Sequence, residues 1–253
     1  MLLAIDMGNT RVNAAVYEGA NLIGHWGMPA QRNLDLSSFA VVFGDMLSSF
    51  RLGFKNIDSV IISSVVPSND DGLKNFCTQY LNCKPLFINH TNIGMKIAVD
   101  NPPEVGADRL VVSFAAYKKY KRSLIVIDLG TAITFDCIDN DGVYLGGPIA
   151  PGIGISSDAL FYRAEKLFSI EIQKPERVIG RNTTECVQSG IFHGYVGLID
   201  HVVAGIKQEM NSDPYILATG GWASLLSGES KCIHSVDEML LLDGLRDIYS
   251  EIR

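Results

Sequence analysis

The chain has 253 residues, 47% of them hydrophobic, with a mean hydropathy of +0.17 and a formal net charge of −7. That length and apolar share support a sizeable buried core and exclude a disordered chain. The acidic balance argues against a nucleic-acid-backbone binder, which needs a basic face. The five cysteines show no C-x-x-C spacing, so neither a disulfide framework nor a zinc site is expected, and reduced thiols in a cytoplasm fit better. Met1-Leu2-Leu3-Ala4-Ile5-Asp6 lacks a basic start and breaks its apolar run with an acid. Neither a signal peptide nor a membrane anchor is expected.

In chain order, the apolar run Leu3-Ala4-Ile5 ends in Asp6-Met7-Gly8-Asn9-Thr10, and an apolar segment from Val12 to Tyr17 leads to the turn Glu18-Gly19-Ala20-Asn21. A third short apolar run ends at Gly24. These alternations, punctuated by Gly and Asn, predict a β-meander. Leu36, Phe39, Ala40, Phe43, Leu47 and Phe50 then share one helical face. The run Val60 to Val66, stopped by Pro67, reads as a buried strand. A helix from Asp71 to Tyr80, a strand over Leu86-Phe87-Ile88 and a helix from Asp108 to Tyr120 complete the first half.

The opening pattern then returns. An offset of 122 residues carries Asp6 onto Asp128, Gly8 onto Gly130 and Gly24 onto Gly146. Ile125-Val126-Ile127-Asp128-Leu129-Gly130-Thr131-Ala132 is followed by an apolar segment, the turn Asp139 to Gly142 and a short run to Gly146. A repeat of this length is a duplicated domain. Helices near Ile155 to Lys166 and Thr184 to Glu209 follow, then a strand over Tyr215 to Ala218, a short helix from Trp222 and a final helix from about Leu241. Strands then helices, twice over, predict an α/β protein of two lobes with mixed β-sheets flanked by helices, residues 1–116 and 117–253.

A single Asp-x-Gly turn is an ordinary hairpin feature. Two at matched positions point to a phosphate loop on each side of a shared cleft. Gly8 lets backbone approach a phosphate, Asn9, Thr10 and successive N–H groups can donate to its oxygens, and Asp6 at a strand end can hold Mg²⁺ directly or through water. Thr219-Gly220-Gly221, between a strand and a helix, can admit a nucleotide close to a helix N-terminus. In Asp100 to Arg109 the two prolines make a rigid loop, and Asp108 and Arg109 sit at a helix start. Asp108 could simply cap that helix. It could also accept the proton of an alcohol in phosphoryl transfer, with Arg109 gripping a substrate carboxylate. The five histidines, scattered without ligand spacing, and Trp26 and Trp222 read as structural residues.

Taken together, Asp6-x-Gly8-Asn9-Thr10, Ile62-Ser63-Ser64-Val65-Val66-Pro67, Asn101-Pro102-x-Glu104-Val105-Gly106-Ala107-Asp108-Arg109, Asp128-x-Gly130-Thr131-Ala132, Gly146-Gly147-x-Ile149-x-Pro151-Gly152 and Gly180-x-Asn182-Thr183 resemble type III pantothenate kinase, in order and over nearly the whole chain. That family lies in the actin-like ATPase superfamily with acetate and sugar kinases. The resemblance implies two duplicated actin-like (ribonuclease H-like) lobes and ATP-dependent phosphorylation of pantothenate, the first step of coenzyme A synthesis. It implies that Asp6, Met7, Gly8, Asn9, Thr10, Arg11, Val12 and Asn13 form the first phosphate loop and that Thr131 contacts ATP. Gly106, Ala107, Asp108 and Arg109 would hold pantothenate, with Asp108 as proton acceptor and Thr183 as a further contact. Asp128 would bind a monovalent cation, K⁺ or NH₄⁺. Family members often carry a substrate-contacting tyrosine just before the Asp-Asn-Pro element, where this chain has Val99. A cytoplasmic homodimer, with no nucleic-acid or membrane partner, is also implied. A different actin-like enzyme and a transcriptional accessory factor are the alternatives, opposed by the Gly-Ala-Asp-Arg element and by the intact Asp6, Asp108 and Asp128.

Overall fold

The computed structural model describes residues 1–30 and 35–252. It divides into two compact units: Met1–Met95, Asp100–Ala115 and Met239–Arg253 form the first, Lys96–Val99 and Ala116–Glu238 the second. The sequence reading had ended the first lobe at residue 116. The last helix instead returns to the first unit, because its apolar face packs on strands of the first sheet.

The first unit opens as expected with an antiparallel meander, β1 (Leu2–Met7), β2 (Arg11–Glu18) and β3 (Asn21–Pro29). The third strand runs on past Gly24 to Pro29. The helix α1 (Leu36–Ser49) begins at the cap Asp35, whose carboxylate accepts from Ser38 N–H at 2.9 Å. It buries Phe39, Ala40, Phe43 and Leu47, the predicted face. β4 (Ser59–Ser64) then pairs parallel to β1, and α2 (Pro67–Tyr80) follows at once. The sequence reading started α2 at Asp71, taking Pro67 as a stop. Pro67 is instead its first helical residue, where a missing N–H costs nothing. Ser64 secures that start by accepting from Val66 N–H and donating to Asp70 at 2.6 Å. β5 (Leu86–Phe87) completes a sheet ordered β3-β2-β1-β4-β5.

Strand alternation sorts side chains between the two faces of this sheet. Leu3, Ile5, Met7, Val12, Ala14, Val16, Val60 and Ile62 face α1 and α2 in one core with Trp26, Phe43 and Phe76. Trp26 meets Phe43 edge-on at 5.0 Å, so it is a packing residue. The intervening residues, among them Asp6, Asn13, Tyr17 and Ser63, take the opposite face. The C-terminal helix covers it, and the helix α3 (Ala107–Tyr120) packs against that helix. In that helix Asp243 accepts from Tyr17 Oη at 2.9 Å, and Gly244 lets Val111 and Ala115 of α3 approach.

The second unit repeats the plan with β6 (Leu124–Leu129), β7 (Ala132–Ile138) and β8 (Tyr144–Gly146) as the meander. A strand not anticipated from the sequence, β9 (Ile149–Pro151), pairs with β7. α4 (Ile153–Arg163), α5 (Thr183–Met210), β10 (Tyr215–Thr219), α6 (Ala223–Leu226), a second unanticipated strand β11 (Ser235–Val236) and α7 (Leu240–Ile252) follow. α4 starts two residues before the expected Ile155, at the bend of Gly152, and ends at Arg163 rather than Lys166. The sheet order β11-β10-β6-β7-β8 mirrors that of the first unit, with β10 parallel to β6 as β4 is to β1. Ile125, Ile127, Leu129, Ile133, Phe135 and Cys137 form its core with Phe192, Ile199 and Val203 of α5.

Candidate functional site

In the first unit the chemistry gathers where β1 ends and α3 begins. Asp6 is only 8% exposed. It lies in register with Asn13 on β2 and Ser63 on β4, so both flank it on the same sheet face. Asn13 Nδ2 donates to Asp6 Oδ2 at 3.3 Å. Burial, and then the negative charge of nearby Asp108, push the Asp6 carboxyl up to about 7, against the smaller opposing influence of its neighbours Asn13 and Ser63. Ser63 is close enough to count in that balance, yet its fully buried hydroxyl forms no hydrogen bond of ordinary geometry.

Asp108 occupies the first turn of α3 rather than the cap position, since Leu110 N–H bonds back to Gly106 O at 3.3 Å. Its carboxylate nonetheless serves the helix start, Oδ1 accepting from Arg109 N–H at 2.8 Å. Burial raises its pKa, opposed by the Arg109 N–H and charge. The carboxylate folds back over Gly106, where any Cβ would strike Asp108 Oδ1. A side chain at Gly106 would thus displace the Asp108 carboxylate from this position. Ala107 is largely buried and Arg109 partly so.

The rest of the first loop divides by exposure. Met7 and Val12 are buried core residues at 0% and 1% exposure, so only their backbones could meet a ligand. Gly8 N–H closes the turn onto Arg11 O at 3.0 Å, and Asn9, Thr10 and Arg11 are exposed. The Arg11 guanidinium lies across Gly27 beside Asn13 Oδ1.

In the second unit Asp128 ends β6, partly buried, in register with Thr134 on β7 and Thr219 on β10. Gly220 follows with φ at +89°, and a side chain there would collide with Asp128 Oδ1 and the Leu129 backbone. Trp222 N–H donates to Leu129 O at 3.2 Å, which seats the Gly220-Gly221 loop against the Asp128 turn. Thr131 is exposed, and its carbonyl accepts from Gly152 N–H at 3.1 Å. Val99 lies in the short segment Lys96–Val99, which Tyr144 holds through Lys96 O and Ala98 N. Thr183 is the first residue of α5, beyond the cap Asn182, which accepts from Glu185 N–H at 2.9 Å.

The structure therefore brings Asp6, Asn13, Gly106, Asp108 and Arg109 together in one unit, and Asp128, Gly130 and Gly220 together in the other. The sequence reading assigned no role to Ser63 or Thr219 themselves. Only strand register shows that each stands beside its unit's leading aspartate. No group of three or more His, Cys, Asp or Glu suited to a metal occurs among the described residues, and none of their helices is long and apolar enough to cross a membrane.

A family model described as type III pantothenate kinase matches residues 2–205. A Geobacter sulfurreducens protein named type III pantothenate kinase is 43% identical over 254 residues, covering 100% of this chain and 100% of its own. A Campylobacter jejuni structure described as a Baf family transcriptional activator superposes with a TM-score of 0.64 at 22% identity, covering 99% of this chain and 98% of that one. The ROK hexokinase of Thermus thermophilus superposes with a TM-score of 0.52 at 10% identity, covering 100% and 99%. The two structural likenesses show the fold alone, an α/β architecture of two mixed sheets flanked by helices.

Proposed function

The chain belongs to the type III pantothenate kinase family, and from that premise we infer how its residues carry out the ATP-dependent phosphorylation of pantothenate, the first step of coenzyme A biosynthesis. The observation that carries the reading is that Asp108, in the first turn of α3, stands near enough to Asp6 on β1 for its charge to raise the Asp6 carboxyl.

Asp108 is the proton acceptor. Arg109 N–H fixes one carboxylate oxygen, leaving the other free to take the hydroxyl proton, and burial makes the group a stronger base than an exposed aspartate. Arg109 offers a planar fork suited to the substrate carboxylate. Gly106 and Ala107 line the same loop. The exposed turn Gly8 to Arg11, with the backbones of Met7 and Val12 and the Asn13 side chain, cradles phosphate, and Thr131 contacts ATP.

Asp6 fits a hydrated Mg²⁺. It is a hard oxygen donor whose charge is disfavoured by burial and by a second carboxylate, so a cation there relieves both. The ion supplies charge neutralisation at the phosphates. Asp128, with Gly220 kept bare beside it, is assigned to a monovalent cation, K⁺ or NH₄⁺. Five free thiols fit the cytoplasm. A homodimer is supported by apolar side chains left exposed in and around α4, including Tyr162 at 85%, Phe168 at 59% and Ile179 at 84%. Light scattering should give twice the mass of one chain, and a single-chain mass would refute the dimer. The activity itself is tested by coupled ADP release with pantothenate, with and without K⁺. Turnover that needs both pantothenate and K⁺ is expected, and no pantothenate-dependent release would overturn the reading.

A further inference from the structure

Ser63 and Ser64 are neighbours on β4 and point to opposite faces. Ser64 has a structural task, since its hydroxyl bonds to Asp70 and to Val66 N–H at the start of α2. Ser63 has none. It is 0% exposed, and its hydroxyl is one of the few buried side-chain groups without a hydrogen-bond partner among the described residues. A buried hydroxyl left unpaired is costly, so its presence in a strand that alanine or valine would suit needs a reason.

The register supplies one. Ser63 stands directly beside Asp6 on the neighbouring parallel strand. The second unit repeats the layout. Thr219, 4% exposed, stands beside Asp128 on the matching parallel strand. Both duplicated units therefore place a buried hydroxyl residue next to the aspartate that ends their first strand, although Ser63 and Thr219 do not share the offset that relates Asp6 to Asp128. A filler residue would have no cause to recur as a hydroxyl in both.

We propose that Ser63 is a positioning residue for the kinase reaction: its hydroxyl, beside Asp6 across the β1–β4 register, donates to that carboxylate when magnesium and nucleotide load it. Buried as it is, Ser63 touches neither ion nor substrate and acts only through Asp6. Asn13 already donates to Asp6 Oδ2 from the other side. A second donor from β4 would fix the carboxylate from both flanking strands and leave its outward lone pairs to the ion's water shell. The inference rests on the assignment of Asp6 to Mg²⁺.

Ser63→Ala separates this role from a structural one. Removing an unpaired hydroxyl should leave the melting temperature of the ligand-free protein unchanged or higher, whereas Ser64→Ala should lower it. With MgATP present, the ligand-induced rise in melting temperature should be smaller in Ser63→Ala than in the wild type. The Mg²⁺ concentration for half-maximal rate should increase about tenfold, the size of one hydrogen bond to a charged group. Ser63→Thr, which keeps the hydroxyl, should recover part of both effects. A fall in ligand-free melting temperature like that of Ser64→Ala, or an unaltered Mg²⁺ requirement, would overturn the proposal. Asp6→Asn distinguishes the two levels. If it raises the Mg²⁺ requirement while Ser63→Ala does not, only the role of Ser63 fails. If Asp6→Asn also leaves it unaltered, the Mg²⁺ assignment fails with it.

Discussion

Replacing Asp6 by asparagine should stabilise the ligand-free protein while raising its Mg²⁺ requirement. Asp6 is 8% exposed, and its pKa rises from 3.8 to about 7, chiefly through burial and secondarily through Asp108. Between those values the folded protein keeps a proton that the unfolded chain has already released. Raising the pH through this window therefore withdraws stability. The loss is absent below about pH 4 and complete above about pH 7. At about 1.4 kcal/mol for each pH unit, the rise corresponds to roughly 4 kcal/mol as an upper limit. Asparagine has the size of the protonated acid and cannot ionise. At pH 8, Asp6→Asn should melt roughly 5–10 °C above the wild type, part of the penalty being relieved by local relaxation. At pH 4.5 the gap should shrink to roughly a quarter of its pH 8 value. Differential scanning calorimetry without nucleotide or Mg²⁺ reads both. Equal melting temperatures at pH 8, or a gap that does not change with pH, would refute the claim that Asp6 carries a buried, opposed charge.

Asp108→Asn should lower kcat by roughly 10²–10⁴-fold with ATP affinity nearly unchanged, and retention of more than about a tenth of turnover would place the base elsewhere. Arg109→Lys should mainly raise the KM for pantothenate, because a point charge replaces a planar fork. Asp128→Asn should weaken ATP binding on the order of tenfold, the size of a charged contact, and flatten the preference for K⁺ over Na⁺. Full wild-type turnover in pure Na⁺ buffer would count against that assignment.

The features most legible in the sequence were those carried by local pattern. The β-meanders, the apolar face of α1 and the span of α3 follow from periodicities that neighbouring residues fix by themselves. The duplication was visible because Asp6, Gly8 and Gly24 keep one spacing to Asp128, Gly130 and Gly146. Features that depend on pairing between distant segments were not legible. β9 and β11 are short, and they are strands only because β7 and β10 offer open edges. The return of α7 to the first unit depends on its packing against β1 and β4, which no pattern in residues 240–252 announces. Pro67 misled for a different reason, because proline ends a strand and opens a helix with equal ease. At the site, Gly106 to Arg109 was readable as a motif. That Asp108 bends back over Gly106 and lies close enough to Asp6 to raise its pKa was not. Ser63 lies far from Asp6 in sequence and meets it only through strand register.

The register also shows how the two copies of one turn differ. In the first unit Met7 pairs with Val12, and in the second Leu129 pairs with Ile133, so the second turn is one residue shorter. The residue facing the aspartate across the hairpin is therefore Asn13 in one copy and Thr134 in the other. Asn13 donates to Asp6. Thr134 donates instead to Asp136, at 2.9 Å. Asp6 is almost wholly buried, held by an amide and set against a second carboxylate, which concentrates negative charge in a confined place. That suits a small divalent ion that keeps its waters. Asp128 is more exposed, and its neighbouring hydroxyl on β7 is committed elsewhere. Gly220 beside it has no side chain, and Asp128 Oδ1 and the Leu129 backbone fill the place one would take. One repeated aspartate position thus sits in two electrostatic settings, and the difference is written in the turn length and in the residue opposite rather than in the aspartate itself.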